Sequence, residues 1–329
     1  MTLRATTITL VGLLLASLLL AISVGKFPLS LTDLSQLLWG DATSVNHSAS
    51  VVFWQIRLPR VLAALLIGAA LAAAGTAYQG MFRNPLVSPD ILGVSAGAGA
   101  GASLAILLGL SMAGIQLFAF AGGLMVVALV CVIAQFTRRQ DPVLSLVLIG
   151  IAVGTLCGAF ISLIKVLADP YTELPSITFW LLGGLNTITV ADLSTAAPLL
   201  LIGILPLWLL RWRMNLLSLP DDEARAMGVN VTQLRWVLIV AATLVTASAV
   251  SIAGIIGWVG LVVPHICRIM TGANNVRLLP CAMAVGAILL LVTDTMARTI
   301  SHVELPLGIL TAMIGAPFFL LLLMRRERL

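Results

Sequence analysis

The chain has 329 residues and a net charge of +5; 60% of its residues are hydrophobic, 9% are charged, and its mean hydropathy is +1.12. Soluble domains carry roughly 25% charged residues, so this composition excludes a water-soluble fold and places the chain in a bilayer. Its 18 basic residues are scattered among apolar runs, not gathered in a stripe that could track phosphates, which sets nucleic-acid binding aside.

At about 20 residues per crossing, the length admits about ten spanning helices and no sizeable extramembrane domain. The run from Ala5 to Val24 follows one arginine, Arg4, is longer than a signal-peptide core and has no clear small-residue cleavage site, so it reads as the first membrane helix. Further apolar segments fall at about 61–80, 91–110, 112–136, 143–167, 189–210, 234–256, 258–270, 279–297 and 306–324. Turn signals such as Arg83-Asn84-Pro85 and Gln140-Asp141-Pro142 separate them. Ten crossings put both termini on one side. If that side is the cytoplasm, Arg4, Arg83, Arg138, Arg139, Arg211, Arg213, Arg225, Arg235, Arg268, Arg277, Arg325, Arg326 and Arg328 all lie at cytoplasmic ends. Lys26, Arg57, Arg60, Lys165 and Arg298 fall elsewhere, and the bias is that of the positive-inside rule. The expected fold is therefore all-α and polytopic, one transmembrane domain over residues 1–329 with both termini cytoplasmic.

Small residues recur at four-residue spacing at Gly93, Gly97 and Gly101, at Gly150, Gly154 and Gly158, and more weakly at Gly68 and Ala72. Such faces let helix backbones approach closely, either as fixed packing or as surfaces that slide. The longest outer connections run from Lys26 to Gln55 and from Ala168 to Val190; within the second, Leu174 to Leu185 predicts a short interfacial helix containing Trp180. The cytoplasmic stretch at about 211–233 contains another, a short amphipathic helix. There Ser218 is the expected cap, Pro220 suits a first turn, Asp221, Asp222 and Glu223 favour the positive end of the helix dipole, and Gly228 supplies a stop.

Catalysis needs converging polar groups, and the sequence offers few. Cys131, Cys157, Cys267 and Cys281 stand singly in apolar runs and read as packing residues. His47, His265 and His302 lack ligand-like spacing, so no metal site is expected. The lysines, Lys26 and Lys165, lie outside any G-x-x-x-x-G-K-[ST] loop, so the chain is not expected to hydrolyse ATP through that motif. Asp294 and Arg298, four residues apart, are the main intramembrane charges and can neutralise each other on one helix face. A proton relay is the alternative use for such a pair, as in an ion-coupled carrier.

Several segments, in order, resemble the permease subunits of ATP-binding-cassette importers for iron-siderophores, haem and cobalamin. They are Arg57-Leu58-Pro59-Arg60, Phe82-Arg83-Asn84-Pro85-Leu86 with Pro89 and Leu92-Gly93-Val94-Ser95, Gly257-Trp258-Val259-Gly260 through Pro264-His265, Asp294-Thr295-Met296-Ala297-Arg298, Glu304-Leu305-Pro306-Leu307-Gly308 and Gly315-Ala316-Pro317-Phe318. Trp258 departs from the phenylalanine frequent in relatives, and Val87-Ser88 from an alanine-containing pair. The resemblance implies a pore of two permease subunits, identical or related, in the bacterial inner membrane. Two cytoplasmic ATPase subunits would use ATP and magnesium, this chain would bind no cofactor, and a periplasmic or lipid-anchored binding protein would deliver the cargo.

The resemblance also implies roles for particular residues. The segment Ser218, Leu219, Pro220, Asp221, Asp222, Glu223, Ala224, Arg225, Ala226, Met227, Gly228 and Val229 matches the one that docks into the ATPase. Arg57, Arg60 and Arg298 match arginines that receive the binding protein's carboxylates, with interfacial anchoring or the Asp294 pair as alternative uses. Asn84, Pro85 and Leu86 match a cytoplasmic gate, and an outer gate falls around Ala168 to Pro175. A metal chelate is the expected cargo, and an oxyanion such as molybdate the alternative.

Overall fold

The computed structural model describes residues 3–27, 29–39, 47–136 and 142–326; Arg138, Arg139, Arg328 and the Gln140-Asp141 turn lie outside these ranges. The described chain is helical because hydrocarbon leaves backbone N–H and C=O groups no water to bond. In chain order the helices are α1 (Leu3–Ser23), α2 (Leu31–Trp39), α3 (His47–Val51), α4 (Leu58–Met81), α5 (Val94–Leu107), α6 (Met112–Phe136), α7 (Pro142–Leu167) and α8 (Glu173–Leu182). They continue as α9 (Val190–Leu209), α10 (Arg211–Met214), α11 (Asp221–Ala226), α12 (Val231–Ala253), α13 (Val259–Thr271), α14 (Asn275–Thr299) and α15 (Leu307–Arg326). Among the described residues, seven helices are long and apolar enough to cross a membrane, and the three shorter apolar ones, α5, α13 and α15, correspond to the remaining segments of the sequence.

One boundary differs from expectation. The loop from Lys26 to Gln55 contains α2 and α3, and α3 runs through a π-helical stretch, Val52–Arg57, into α4, so the second span begins upstream of Val61. At 1.5 Å per residue, the 13 residues of α13 cover only about 20 Å, so part of that crossing is not helical. The non-helical stretch before it opens at Gly254, with φ +66°, and Gly184 N donates to Ala253 O at 2.8 Å while Leu307 N donates to Gly183 O at 2.9 Å. These strands of irregular chain satisfy one another, as buried backbone must.

α4 runs through the middle of the protein, packed by α9, α12, α13 and α14, because its side chains are small. A Cβ added at Gly68 would lie 2.3 Å from Gly286 O, and one at Gly75 only 1.8 Å from Gly260 O, so both crossings are backbone against backbone. The same holds for α5 on α6, where Gly97 meets Gly122 O at 2.5 Å and Gly101 meets Phe118 O at 2.1 Å. The third glycine run splits. Gly150 abuts Ile91 O at 2.2 Å, whereas a Cβ at Gly158 would meet nothing within 4 Å. α7 is correspondingly the least covered long span, and its exposed Thr155 and Ser162 hydroxyls donate to Ile151 O and Gly158 O at 2.8 and 2.9 Å.

The ends of the helices define two faces. Thr6, Thr7, Val276 and Arg277 line one cavity, and Arg298 reaches Ala21 O and Val24 O, so α1 and α14 run parallel, start beside start and end beside end. The face where α1 begins and α15 finishes is called the terminal face below, and its counterpart the opposite face.

Gly75→Ala should destabilise the detergent-solubilised protein by about 3 kcal/mol or more, because no side chain can move aside to admit the methyl group. Gly158→Ala should leave thermal unfolding within about 1 kcal/mol of the parent, towards greater stability. Melting curves of the two variants, measured side by side, check both.

Candidate functional site

Charged side chains gather at both faces. At the opposite face, Asp294 on α14 is fully buried and shared by two arginines. Arg60 Nε donates to both Asp294 oxygens at 2.9 and 3.1 Å, and Arg298 Nε approaches Oδ2 at 3.3 Å. Arg60 Nη1 also donates to Glu304 at 2.9 Å. The intrahelical pair of Asp294 and Arg298 is therefore present, but the bridge from α4 is the shorter contact. In the sequence, nothing local marks Glu304 as a partner for a residue 244 positions away.

Arg57 has no carboxylate. Its guanidinium donates to the carbonyls of Ile22, Ser23 and Phe27 and so fastens the end of α1 to the start of α4. Arg298 does likewise, through Ala21 O at 3.1 Å and Thr295 Oγ1 at 3.2 Å. Arg57, Arg60 and Arg298, expected to offer guanidiniums to another protein, are only 3%, 6% and 7% exposed, and each is bonded within the chain. The physical reason is desolvation, since a buried arginine is tolerated only when carbonyls or carboxylates take its protons. Nearby, Lys26 Nζ donates to His302 O at 2.9 Å, and Glu304 and Arg60 line a pocket with Asn186 and Phe179.

At the terminal face, α4 ends in a turn. Asn84 N donates to Gln79 O at 3.2 Å, Asn84 Oδ1 accepts from Leu86 N at 2.9 Å, and Leu86 is left 41% exposed. Pro85 between them removes a donor and stops the helix. Arg83 precedes the turn at φ +49°, and its side chain donates to Leu217 O at 2.6 Å, to Leu219 O and to Asp221 Oδ1 at 2.7 Å. Arg235 on α12 takes the same carboxylate with two bonds of 2.8 Å. Burial by itself would raise the Asp221 pKa, but Arg235 and then Arg83 outweigh it and hold the carboxyl below the usual carboxylate range. With its folded pKa depressed, the stability it contributes is present above about pH 3.9 and lost as pH falls through the lower folded value.

The short helix expected between Ser218 and Gly228 is α11, and two further turns of helix precede it in the segment at 211–233. The segment comprises α10, a 3-10 turn over Asn215–Ser218, and α11. Ser218 is not the cap: its hydroxyl donates to Asn215 O at 2.6 Å, and Pro220 occupies the position before Asp221 with no side-chain cap. The serine closes the preceding turn, which takes its oxygen away from α11. Gly228, at φ +83°, lies just past the helix end, where a left-handed residue is needed. Asp222, Glu223, Arg225, Ala226, Met227 and Gly228 are exposed, whereas Ala224 is buried and Asp221 faces inward.

The remaining expected outer element also has definite geometry. Asp169 accepts from Tyr171 N and Thr172 N, both at 2.9 Å, which folds the chain between α7 and α8, and Ile177 of α8 is buried against the rest. Trp258 begins α13 at φ +71° and packs edge-on to Phe319, and its Cβ leaves room only for a glycine at 315. Among the described residues no three His, Cys, Asp or Glu side chains converge as metal ligands would.

A tight bundle of apolar helices, with ion clusters confined to its two faces and a short exposed helix at one of them, defines a multi-pass membrane transport subunit. The chain belongs to the FecCD transport family, which matches residues 13–325. It is 42% identical over 319 residues to the molybdate import system permease protein of Haemophilus influenzae, covering 96% of this chain and 94% of that one. It is 36% identical over 318 residues to the hemin transport system permease protein of Yersinia pestis, covering 94% of each. It is 41% identical over 284 residues to the cobalamin import system permease protein of Halobacterium salinarum, covering 86% of this chain and 76% of that one. A solved metal-chelate type ABC transporter in an inward-facing conformation superposes with a TM-score of 0.88 at 39% identity, covering 97% of this chain and 98% of that one.

Asp294→Ala should cost about 3 kcal/mol or more, because it leaves two buried guanidiniums without their shared counter-ion. The loss is read as a lowered melting temperature in detergent, and Arg60→Ala should show a smaller one because the Arg298 pair survives.

Proposed function

We infer that this chain is the membrane-spanning permease subunit of an ATP-binding-cassette importer, and that its cargo is a metal chelate such as a ferric siderophore, haem or cobalamin. The observation that carries the reading is the family match across residues 13–325, joined to the 0.88 superposition on a metal-chelate type transporter. An oxyanion is the second reading, favoured by the 42% identity to a molybdate permease. The terminal face, which carries most of the described arginines outside the buried cluster, is the cytoplasmic one in a bacterial inner membrane.

In this reading the chain supplies a pathway and no hydrolysis. Energy comes from two separate ATPase subunits using ATP and magnesium. The exposed rim of α11, from Asp222 to Gly228, is their docking surface, where Met227 projects 62% exposed beside Glu223 and Arg225. The turn Asn84-Pro85-Leu86 narrows the pathway at the cytoplasmic face, and the Asp169 turn with α8 serves the outer side. Arg57, Arg60 and Arg298 act on the delivering binding protein by holding the rim on which it seats, and Glu304, 30% exposed at its side chain, is the charged group nearest that surface. A second permease copy covers the open face of α7.

Purification from the native membrane in mild detergent should yield an ATPase carrying a phosphate loop in equal amount to the permease, and liposomes holding the complex should accumulate ferric siderophore only with ATP in the lumen, on the ATPase side. Accumulation without ATP by the chain alone would replace the importer with a secondary carrier. Uptake of molybdate but not of iron chelates would select the second reading. Glu223→Arg should reduce ATPase co-purification several-fold while the permease still inserts, which a pull-down with a membrane-fraction control measures.

A further inference from the structure

Asp221 differs from the acids beside it. Asp222 and Glu223 face solvent, but the Asp221 carboxylate is taken by two arginines, Arg235 of α12 and Arg83 of the turn after α4. Arg235 binds it bidentately from the first turn of α12, a directional contact that fixes the orientation of the carboxylate as well as its position. Arg83 completes the set from the end of α4, and all three of its side-chain hydrogen bonds run to residues 217–221. Arg83 also adjoins Asn84 and is itself held in the left-handed backbone region that L side chains rarely adopt. Its neighbour therefore cannot shift without either moving the guanidinium or breaking these bonds. α11 has only six residues, too few to be a rigid body unless something ties it down.

Resting on the importer reading above, we propose that Asp221, with Arg83 and Arg235, is the strut that turns displacement of α11 into movement of the Asn84-Pro85-Leu86 turn. Asp221 is a positioning residue: it touches neither nucleotide nor cargo, and acts through Arg83 on the turn. The strut has three feet, on the turn after α4, on α11 and on α12, so α11 cannot be pushed by a docked ATPase without loading the residue next to Asn84. A contact that served stability alone would have no need to end at that residue, since Arg235 already anchors α11 to α12.

The test uses the whole transporter, permease with its ATPase and binding protein, in liposomes, with radiolabelled ferric siderophore and molybdate as the cargo probes. The quantity read is cargo moved per ATP hydrolysed. Asp221→Asn and Arg83→Gln should each lower that ratio by about tenfold, a coupling loss within the usual range for linked sites. Asp221→Glu, which keeps the charge, should recover most of it. Arg83→Gln leaves the Asp221 pair with Arg235 intact, so α11 keeps its seat even if Asp221→Asn fails to assemble. A parental ratio in Arg83→Gln, whether hydrolysis and transport are both unchanged or both reduced together, overturns the strut. ATP-independent transport by the parent would instead remove the importer reading, so the two failures are distinct.

Discussion

The constraint on which the rest of the structure depends is the distance between α4 and its neighbours. A helix of ordinary side chains keeps others 8–10 Å away, but α4 presents alanine and glycine along most of its length and meets Gly286 and Gly260 main chain against main chain. In lipid there is no hydrophobic drive to bring helices together, so dispersion across such close contacts supplies the attraction. Burying α4 in turn sets where charge can lie. Its interior faces accept nothing polar without a partner, and the ionic side chains are pushed to its two ends.

Those ends solve the same problem in opposite ways. At one, a single carboxylate, Asp294, answers to two arginines, with Arg57 satisfied by carbonyls, and the cluster is buried. At the other, Asp221 also answers to two arginines but stays about a third exposed, among turns and a six-residue helix. The first arrangement is expensive to break and suits a fixed hinge point between α1, α4 and α14. The second lies at the surface, where α11 and the turn after α4 can move together while the carboxylate keeps both arginines. A transport cycle needs one firm end and one that yields.

Much of this was legible in the residues. The apolar segments gave the helices, Pro85 and Gly228 marked where two of them stop, and the ordered motifs from Arg57 to Phe318 identified the family. What escaped was long-range pairing. Arg60 with Glu304, and Arg83 with Asp221, join residues 244 and 138 positions apart, and no local pattern of spacing encodes such contacts. The burial of Arg57, Arg60 and Arg298 is hidden for a related reason: periodicity tells which face of a helix is apolar, not whether a neighbouring helix brings carbonyls to meet a charge. Serine before proline and three acids predicts a cap at Ser218, yet the 3-10 turn ahead of it claims the hydroxyl first.

The self-contained hydroxyls of α7 carry a last consequence. Thr155 and Ser162 face outward with their protons already given to their own helix. Whatever lies against that side, acyl chains or another protein, does so without stripping water from an unmatched donor. The face is thus wettable by hydrocarbon and by polypeptide alike, so the subunit can wait in the lipid before assembly without carrying an exposed polar debt.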